Sequence, residues 1–336
     1  MIYTITLNPA LDHYVEVEDF VTDDANRVQS ECLYAGGKGI DVSRAIRHLG
    51  GESLALGFIG GHNGQIMVEL LKQEGVTPYF TPVAEETRRD LIISARRNGQ
   101  QTLLHTRGPR VTADEWRGFL DHLRLLDLRD AYVCLGGSLP RGAPVDAYRQ
   151  IVTLVQGRGA RAILDADGLP FKAGLKAKPF AIKPNVHELR RVTGLPLGSE
   201  SEILNAAHSL NRMGIEVVIV SLGPQGLLVV SGKPRTHANF LRAMPPTVQV
   251  KSRVGAGDST VAGFVLQHAG GKGLEDCVRF AAAAGTAATL APGNQLCRNR
   301  DVQRLLPRIK ISHQPSAVSD RQAAAGTRTK KLKATR

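Results

Sequence analysis

The chain has 336 residues, 42% of them hydrophobic, and a formal net charge of +12. That is ample apolar material for one large or two smaller domains, and no apolar run approaches the ~18 residues needed to cross a bilayer. The N-terminal MIYTITLNPALD lacks a basic region followed by an apolar one, so no secretory signal is expected in it.

In chain order, short apolar or β-branched runs at residues 2–7, 54–59, 132–135, 162–164, 180–182, 217–221 and 227–230 read as buried parallel strands. Amphipathic stretches lie between them. Val42, Ala45, Ile46 and Leu49 keep a 3.6-residue period, as do Ile66, Leu70 and Leu71, and then Ile203, Ala206, Ala207 and Leu210. This alternation predicts an α/β fold with a doubly wound, mostly parallel sheet flanked by helices. Residues 12–35 and 87–107 break the rhythm and read as extended. The second contains Asn98-Gly99, a strong hairpin signal. Together they predict a small β-sheet protruding as a lid. Exposed strand edges invite pairing, so a homodimer through the lid is expected.

Cys32, Cys134, Cys277 and Cys297 form no CxxC pair and read as reduced, mostly buried thiols of a cytoplasmic protein without structural zinc. The folded body is expected to occupy residues 1–311 as one domain carrying the lid strands. Residues 312–336 carry six basic residues against Asp320 alone and have no apolar period, which predicts a basic, disordered tail. A solubilising role is expected for it, with a nucleic-acid or membrane arm as the alternative.

Five stretches carry candidate chemistry. In LNPALD, Asp12 follows the first strand and could accept hydrogen bonds from sugar hydroxyls. In AGGKGIDVSRA, Gly37 and its neighbours precede a helix; Lys38 is placed to meet a phosphate and Asp41 to bond hydroxyls, unless this is only a flexible turn. It is not a Walker loop, since no GxxxxGK[ST] occurs. In IKPNVHEL, Lys183, Asn185 and Glu188 open a helix. Asn185 and Glu188 could hold a hydrated Mg²⁺, or simply cap that helix. SLGPQG, with Ser221, Gly223 and Gly226, is a nucleotide-site turn or an ordinary hairpin. In VGAGD, the glycines around Ala256 start a helix, where backbone N–H groups converge on an anion. Gly255, Ala256 and Gly257 would stabilise a transferring phosphoryl group, and Asp258 would take the proton of the attacking hydroxyl. The competing reading makes Asp258 an N-cap.

Taken together these stretches resemble the PfkB (ribokinase-like) family of carbohydrate kinases, from residue 2 to about 306. Within it they are similar to the phosphosugar branch: 1-phosphofructokinase, tagatose-6-phosphate kinase and the minor type 2 6-phosphofructokinase. The resemblance implies that Asp12 and Asp41 contact the sugar, that Lys38, Arg88 and Arg27 bind its phosphate, and that the 280–294 helix and turn flank adenine. It implies that Lys183, Asn185 and Glu188 organise ATP and Mg²⁺, that Ser221, Gly223 and Gly226 line the nucleotide, and that Asp258 is the base. Three departures stand out: Asp41 where relatives usually have Asn, Arg253 where Thr is common, and no evident lid arginine near Leu103, with His105 or Arg107 as substitutes. The expected reaction is ATP-dependent phosphorylation of a ketohexose phosphate, foremost fructose 6-phosphate. 1-Phosphofructokinase or tagatose-6-phosphate kinase activity is the alternative, and a non-catalytic phosphosugar sensor is the reading from another class. Neither a membrane nor a nucleic-acid partner is expected for the body.

Overall fold

The computed structural model describes residues 1–232 and 238–313. In chain order its first half contains β1 (Ile2–Thr6), β2 (Ala10–Val17), β3 (Val28–Gly36), α1 (Lys38–His48), β4 (Leu54–Ile59), α2 (Gly61–Gln73), β5 (Thr77–Pro78), β6 (Thr81–Pro82), β7 (Arg88–Ala95), β8 (Gln101–Leu104), α3 (Ala113–Leu125), β9 (Tyr132–Gly136), α4 (Ala147–Gln156) and β10 (Arg161–Asp165). There follow α5 (Gly168–Leu175), β11 (Ala181–Ile182), α6 (Val186–Thr193), α7 (Glu200–Arg212), β12 (Val217–Ser221), β13 (Leu227–Ser231), β14 (Asn239–Met244), α8 (Ala256–Ala269), α9 (Leu274–Ala288), α10 (Asn299–Leu305) and β15 (Lys310–His313).

The main sheet runs β15-β14-β13-β12-β11-β10-β9-β1-β4-β5, with β6 also on β4. From β5 to β12 every pairing is parallel. Both faces of these strands are apolar because each is covered by helices. Ile5, Val133, Leu135, Ile182, Val218 and Val220 face the core beneath α3–α7. Ile2, Tyr132, Cys134, Ala181, Val217 and Ile219 face the core formed with α1, α8, α9 and α10. The helical periods hold: Val42, Ala45, Ile46 and Leu49 are all buried, as are Ile203, Ala206, Ala207 and Leu210.

One strand expectation is corrected. Residues 227–230 form β13, which runs antiparallel to β12 because only a short turn over Gly223–Gln225 connects them. A turn that short cannot make the crossover a parallel pair requires. β15 takes in Ser312 and His313, two residues expected in the tail; the rest of that expectation, 314–336, lies outside the described residues.

The protruding sheet has the order β3-β2-β7-β8, built from the two expected insertions. Asn98 and Gly99 lie in the turn between β7 and β8, with Gly99 at φ 68°. Val15, Val17, Ile93 and Ala95 form a separate small core in it. Leu11 and Ala35, at its base, instead pack with Met67 and Leu71 of α2, which fixes the sheet to the body.

Candidate active site

The site gathers along the C-terminal edge of the parallel strands, where α/β sheets bind ligands. Gly136 ends β9 level with Asp165 at the end of β10, Lys183 directly follows β11, and Ser221 ends β12 in register with Asn185. Helices α1 and α8 bring their first turns to the same edge.

At one end of this row two lysines share one carboxylate. Lys38 Nζ donates to Asp165 Oδ1 at 2.7 Å, and Lys183 Nζ lies 3.4 Å from Asp165 Oδ2. Burial alone would raise the Asp165 pKa, but Lys183 and Lys38 hold it below the usual carboxylate value. Burial would likewise lower the Lys38 pKa, and the charges of Asp165, Asp258 and Glu188 instead hold it above the ordinary value. Lys183 is 4% exposed, so a desolvated ammonium stands at the phosphoryl end. A Cβ on Gly257 would come 3.1 Å from Lys183 Nζ, which places that ammonium against the start of α8.

The start of α8 is shaped by Gly255. Its φ of 73° is left-handed, and a Cβ there would lie 2.2 Å from Leu296 Cδ2. Only glycine meets both demands. Gly255 is the N-cap, so Asp258 lies within the first turn and is not itself the cap. Its carboxylate is buried, and Oδ1 has no hydrogen-bond partner among the described residues. Burial, helped by the negative charge of Asp41, raises the Asp258 pKa to about 7, against the pull of Lys38. A first-turn carboxylate should be a weak base; here desolvation outweighs the helix dipole.

The other end holds Asp12 on β2 and Asp41 on α1, bridged by Asn294. The Asn294 amide Nδ2 donates to Asp12 Oδ2 at 3.4 Å and to Asp41 Oδ1 at 3.2 Å. Gly36 permits this packing, because a Cβ there would sit 2.2 Å from Asp12 Oδ2. Burial, followed by the charge of Asp90, raises the Asp12 pKa to about 7. Asp41 also rises to about 7, through burial first and the Asp12 charge, opposed by Arg44. Arg44 Nη1 donates to Asp41 Oδ1 at 3.1 Å. Arg88 sits beside this group, bound to Asp90 Oδ2 at 2.8 Å and to the Asn8 carbonyl at 3.3 Å.

At the nucleotide-side turn, Asn185 and Glu188 occupy the capping arrangement. Asn185 Oδ1 accepts from Glu188 N, and Glu188 Oε2 accepts from Asn185 N. Glu188 keeps Oε1, 3.9 Å from Lys38 Nζ. The SLGPQG segment is a hairpin turn in its local geometry. Gly223 and Gly226 have φ of 60° and 93°, and a Cβ on Gly223 would meet nothing within 4 Å. The turn therefore offers open backbone next to Asn185.

The pfkB family carbohydrate kinase pattern matches residues 5–301. The chain belongs to that family. It is 34% identical over 311 residues to a 1-phosphofructokinase of Borreliella burgdorferi, covering 93% of this chain and 98% of that protein. It is also 34% identical over 306 residues to the ATP-dependent 6-phosphofructokinase isozyme 2 of Escherichia coli, covering 90% and 97%. Among solved structures, Escherichia coli phosphofructokinase-2 in complex with potassium superposes with a TM-score of 0.86 at 34% identity, over 91% of this chain and 98% of that one. The chain is therefore a phosphotransferase, a sugar-phosphate kinase of the phosphofructokinase type with a ribokinase-like fold.

Within that family, one expectation changes. Arg27 does not join Lys38 and Arg88. It is exposed beyond Val28, which pairs with Val17, whereas Asp12 pairs with Tyr34. Five residues of strand put Val28 about 17 Å along the lid from Asp12, and Arg27 lies beyond it. The three cations thus do not converge within the chain: Lys38 belongs to Asp165 and Arg88 to Asp90. The 280–294 segment, expected beside adenine, also brings Asn294 at its end to Asp12 and Asp41. His105 Nδ1 lies 2.7 Å from Asp90 Oδ2, while Arg107 and Arg253 are exposed. Sequence reasoning missed Asp165, Asn294 and Asp90. Asp165 had a usable signal, a carboxylate ending a parallel strand. Asn294 and Asp90 had none, because their roles depend on a lid strand and a distant turn meeting.

Proposed function

We propose that the protein transfers the γ-phosphoryl group of ATP to the primary hydroxyl of a ketohexose phosphate, with fructose 6-phosphate as the acceptor and fructose 1,6-bisphosphate as the product. The observation that carries this reading is Asp258. It is a buried carboxylate with an oxygen unpartnered among the described residues and a pKa raised to about 7, three residues after Gly255, whose backbone turn only glycine can form. A base poised near neutrality can accept a hydroxyl proton as the phosphoryl group arrives. The N–H groups of Ala256 and Gly257, with the ammoniums of Lys38 and Lys183, then stabilise the charge on the transferring oxygens.

Asp12 and Asp41 accept hydrogen bonds from the ring hydroxyls. Arg88, freed in part from Asp90, pairs with the sugar phosphate. Ser221, Gly223 and Gly226 line the nucleotide. Mg²⁺ neutralises ATP phosphate oxygens when bound. The donors fit a hydrated ion better than a caged one, since Asn185 is committed to its cap and Glu188 Oε1 alone faces the lysine. Mg²⁺ retains most of its waters in such sites.

A second reading is favoured by the relatives that are 1-phosphofructokinases. In its furanose ring form fructose carries hydroxymethyl groups at both ends, so fructose 1-phosphate and fructose 6-phosphate yield the same bisphosphate. The two differ in which end faces Asp258 and in where the anomeric hydroxyl meets Asp12 and Asp41. We infer a homodimer through the lid, supported by exposed Phe20, Val21, Val28, Leu103 and Leu104 on that sheet and its connections. A coupled ADP-release assay over fructose 6-phosphate, fructose 1-phosphate and tagatose 6-phosphate tests the reading. The highest kcat/KM is expected with fructose 6-phosphate. Higher kcat/KM with fructose 1-phosphate selects the second reading, and ADP release with none of the three overturns both.

A further inference from the structure

A groove of about 580 Å³ adjoins the Asp12–Asn294–Asp41 cluster, lined by Tyr34, Arg44, His48, Glu74, Gln295 and Arg298. None of these residues serves the sugar or the nucleotide in the reading above. The groove holds two guanidinium groups and one carboxylate. Arg44 is 2% exposed, and its ring-stacked position over Tyr34 keeps it in place, 5.5 Å from the centroid. Its Nε donates to Glu74 Oε2 at 2.8 Å, and its Nη1 donates to Asp41 Oδ1 and the Ala35 carbonyl. Its Nη2 makes no hydrogen bond among the described residues. Arg298 donates only to the neutral Gln295 Oε1, at 2.7 Å, and has no carboxylate within ion-pair distance among those residues. His48 Nδ1 lies 3.2 Å from the Cys297 carbonyl, and its Nε2 lies 3.8 Å from Glu74 Oε2.

We propose that this groove binds a small phosphate-type anion between Arg298 and the open Nη2 edge of Arg44, and that the bound anion weakens sugar-phosphate binding. A planar guanidinium fork matches phosphate oxygens, and a nearly fully buried one gives up little hydration on binding. Glu74 is the one carboxylate in the groove lining; it is half-buried and occupies the Nε edge of Arg44, leaving the Nη2 edge to the anion. The groove has room for a phosphate and a small attached group. Coupling follows from Arg44 itself. The same guanidinium that would meet the anion also donates to Asp41 and opposes the rise of its pKa, and Gln295 directly follows Asn294, which bridges Asp12 and Asp41. An anion drawing on Arg44 leaves Asp41 a poorer acceptor for a sugar hydroxyl. Linkage is reciprocal, so the sugar phosphate weakens anion binding by the same factor. The coupling half rests on Asp41 contacting the sugar; the binding half does not.

The test uses isothermal titration of the full chain with inorganic phosphate and, separately, with glycerol 3-phosphate, which distinguishes free phosphate from a phosphate ester. Wild type, Arg298→Gln and Arg300→Gln are compared. The last removes the same charge outside the groove, where Arg300 is 75% exposed beside Asp301. A binding event weakened about tenfold or more in Arg298→Gln and retained in Arg300→Gln is expected. If both variants titrate like wild type, or wild type binds neither anion, the site is refuted. For the coupling, saturating anion should raise the sugar-phosphate KM about fivefold in wild type beyond its effect in Arg298→Gln. Equal KM changes in both refute the coupling. Should no ketohexose phosphate turn over, the functional reading fails while the titrations still decide the site.

Discussion

The two ends of the active-site row treat buried carboxylates in opposite ways. Asp165 is buried, yet Lys183 and Lys38 hold its pKa low and it stays ionised. Asp12 and Asp41, both buried and bridged by an amide, rise to about 7, Asp12 beside the charge of Asp90 and Asp41 beside that of Asp12. Asp258 lies between the two groups and feels both, and it ends with the raised group because burial and Asp41 outweigh the lysines. Burial alone therefore does not set the role of an acid; what it is paired with does. A permanently charged Asp165 organises cations, whereas an acid near neutrality can exchange a proton.

Substitutions at the two ends should separate these roles. The largest effect is expected at Asp258→Asn. Turnover should fall about 10²–10⁴-fold with sugar binding nearly unchanged, as measured by kcat and by equilibrium titration of the sugar phosphate. Next comes Asp165→Asn, which leaves two ammoniums facing each other. Because Lys38 is 32% exposed, the stability loss should be at the low end for a broken buried pair, about 2–3 kcal/mol by urea denaturation, with kcat also reduced. A variant as stable as wild type would show that the lysines do not depend on Asp165. Arg88→Ala should raise the sugar-phosphate KM by about tenfold while changing kcat much less, since a charge-assisted contact to a non-reacting phosphate is made equally in ground and transition states. A change confined to kcat would remove Arg88 from phosphate binding.

The smallest effect is a gain. The folded state raises the Asp12 pKa from 3.8 to about 7, so between those values the native chain binds more protons than the unfolded one. Stability then falls as pH rises through that window, and the full penalty is present above about pH 7. Asp12→Asn should consequently raise Tm by roughly 2–4 °C at pH 8 and by less as the pH approaches 4. An equal shift at both pH values would mean that Asp12 is not held as a strained acid.

Much of this was legible in the sequence because it is written in short periods. The parallel strands announce themselves as continuous apolar runs, and the lid as two insertions that interrupt strand–helix alternation, one marked by Asn98-Gly99. VGAGD and AGGKGID are contiguous, so local glycine chemistry exposes Asp258, Lys38 and Asp41. What escaped is non-local. The antiparallel return of β13 follows from the length of its connection, since its composition matches that of its parallel neighbours. The distance of Arg27 from the site depends on lid register: a few residues along β2 and β3 carry its side chain out of reach. Asn294 became visible only when the turn after α9 met β2 and α1. The capping box of Asn185 and Glu188 was foreseen as an alternative, and three-residue spacing could not choose between a cap and a metal contact.

The central claim is that Asp258 is the proton acceptor, and the pH dependence of kcat tests it most directly. Wild type and Asp258→Asn are assayed side by side from pH 5.5 to 8.5 at saturating sugar phosphate, ATP and Mg²⁺. Wild-type kcat should rise close to tenfold per pH unit below about 7 and level off above it, as the Asp258 carboxylate ionises. The residual activity of Asp258→Asn should lack that limb. If the variant keeps wild-type turnover with the same limb, the proton goes elsewhere and the account is wrong.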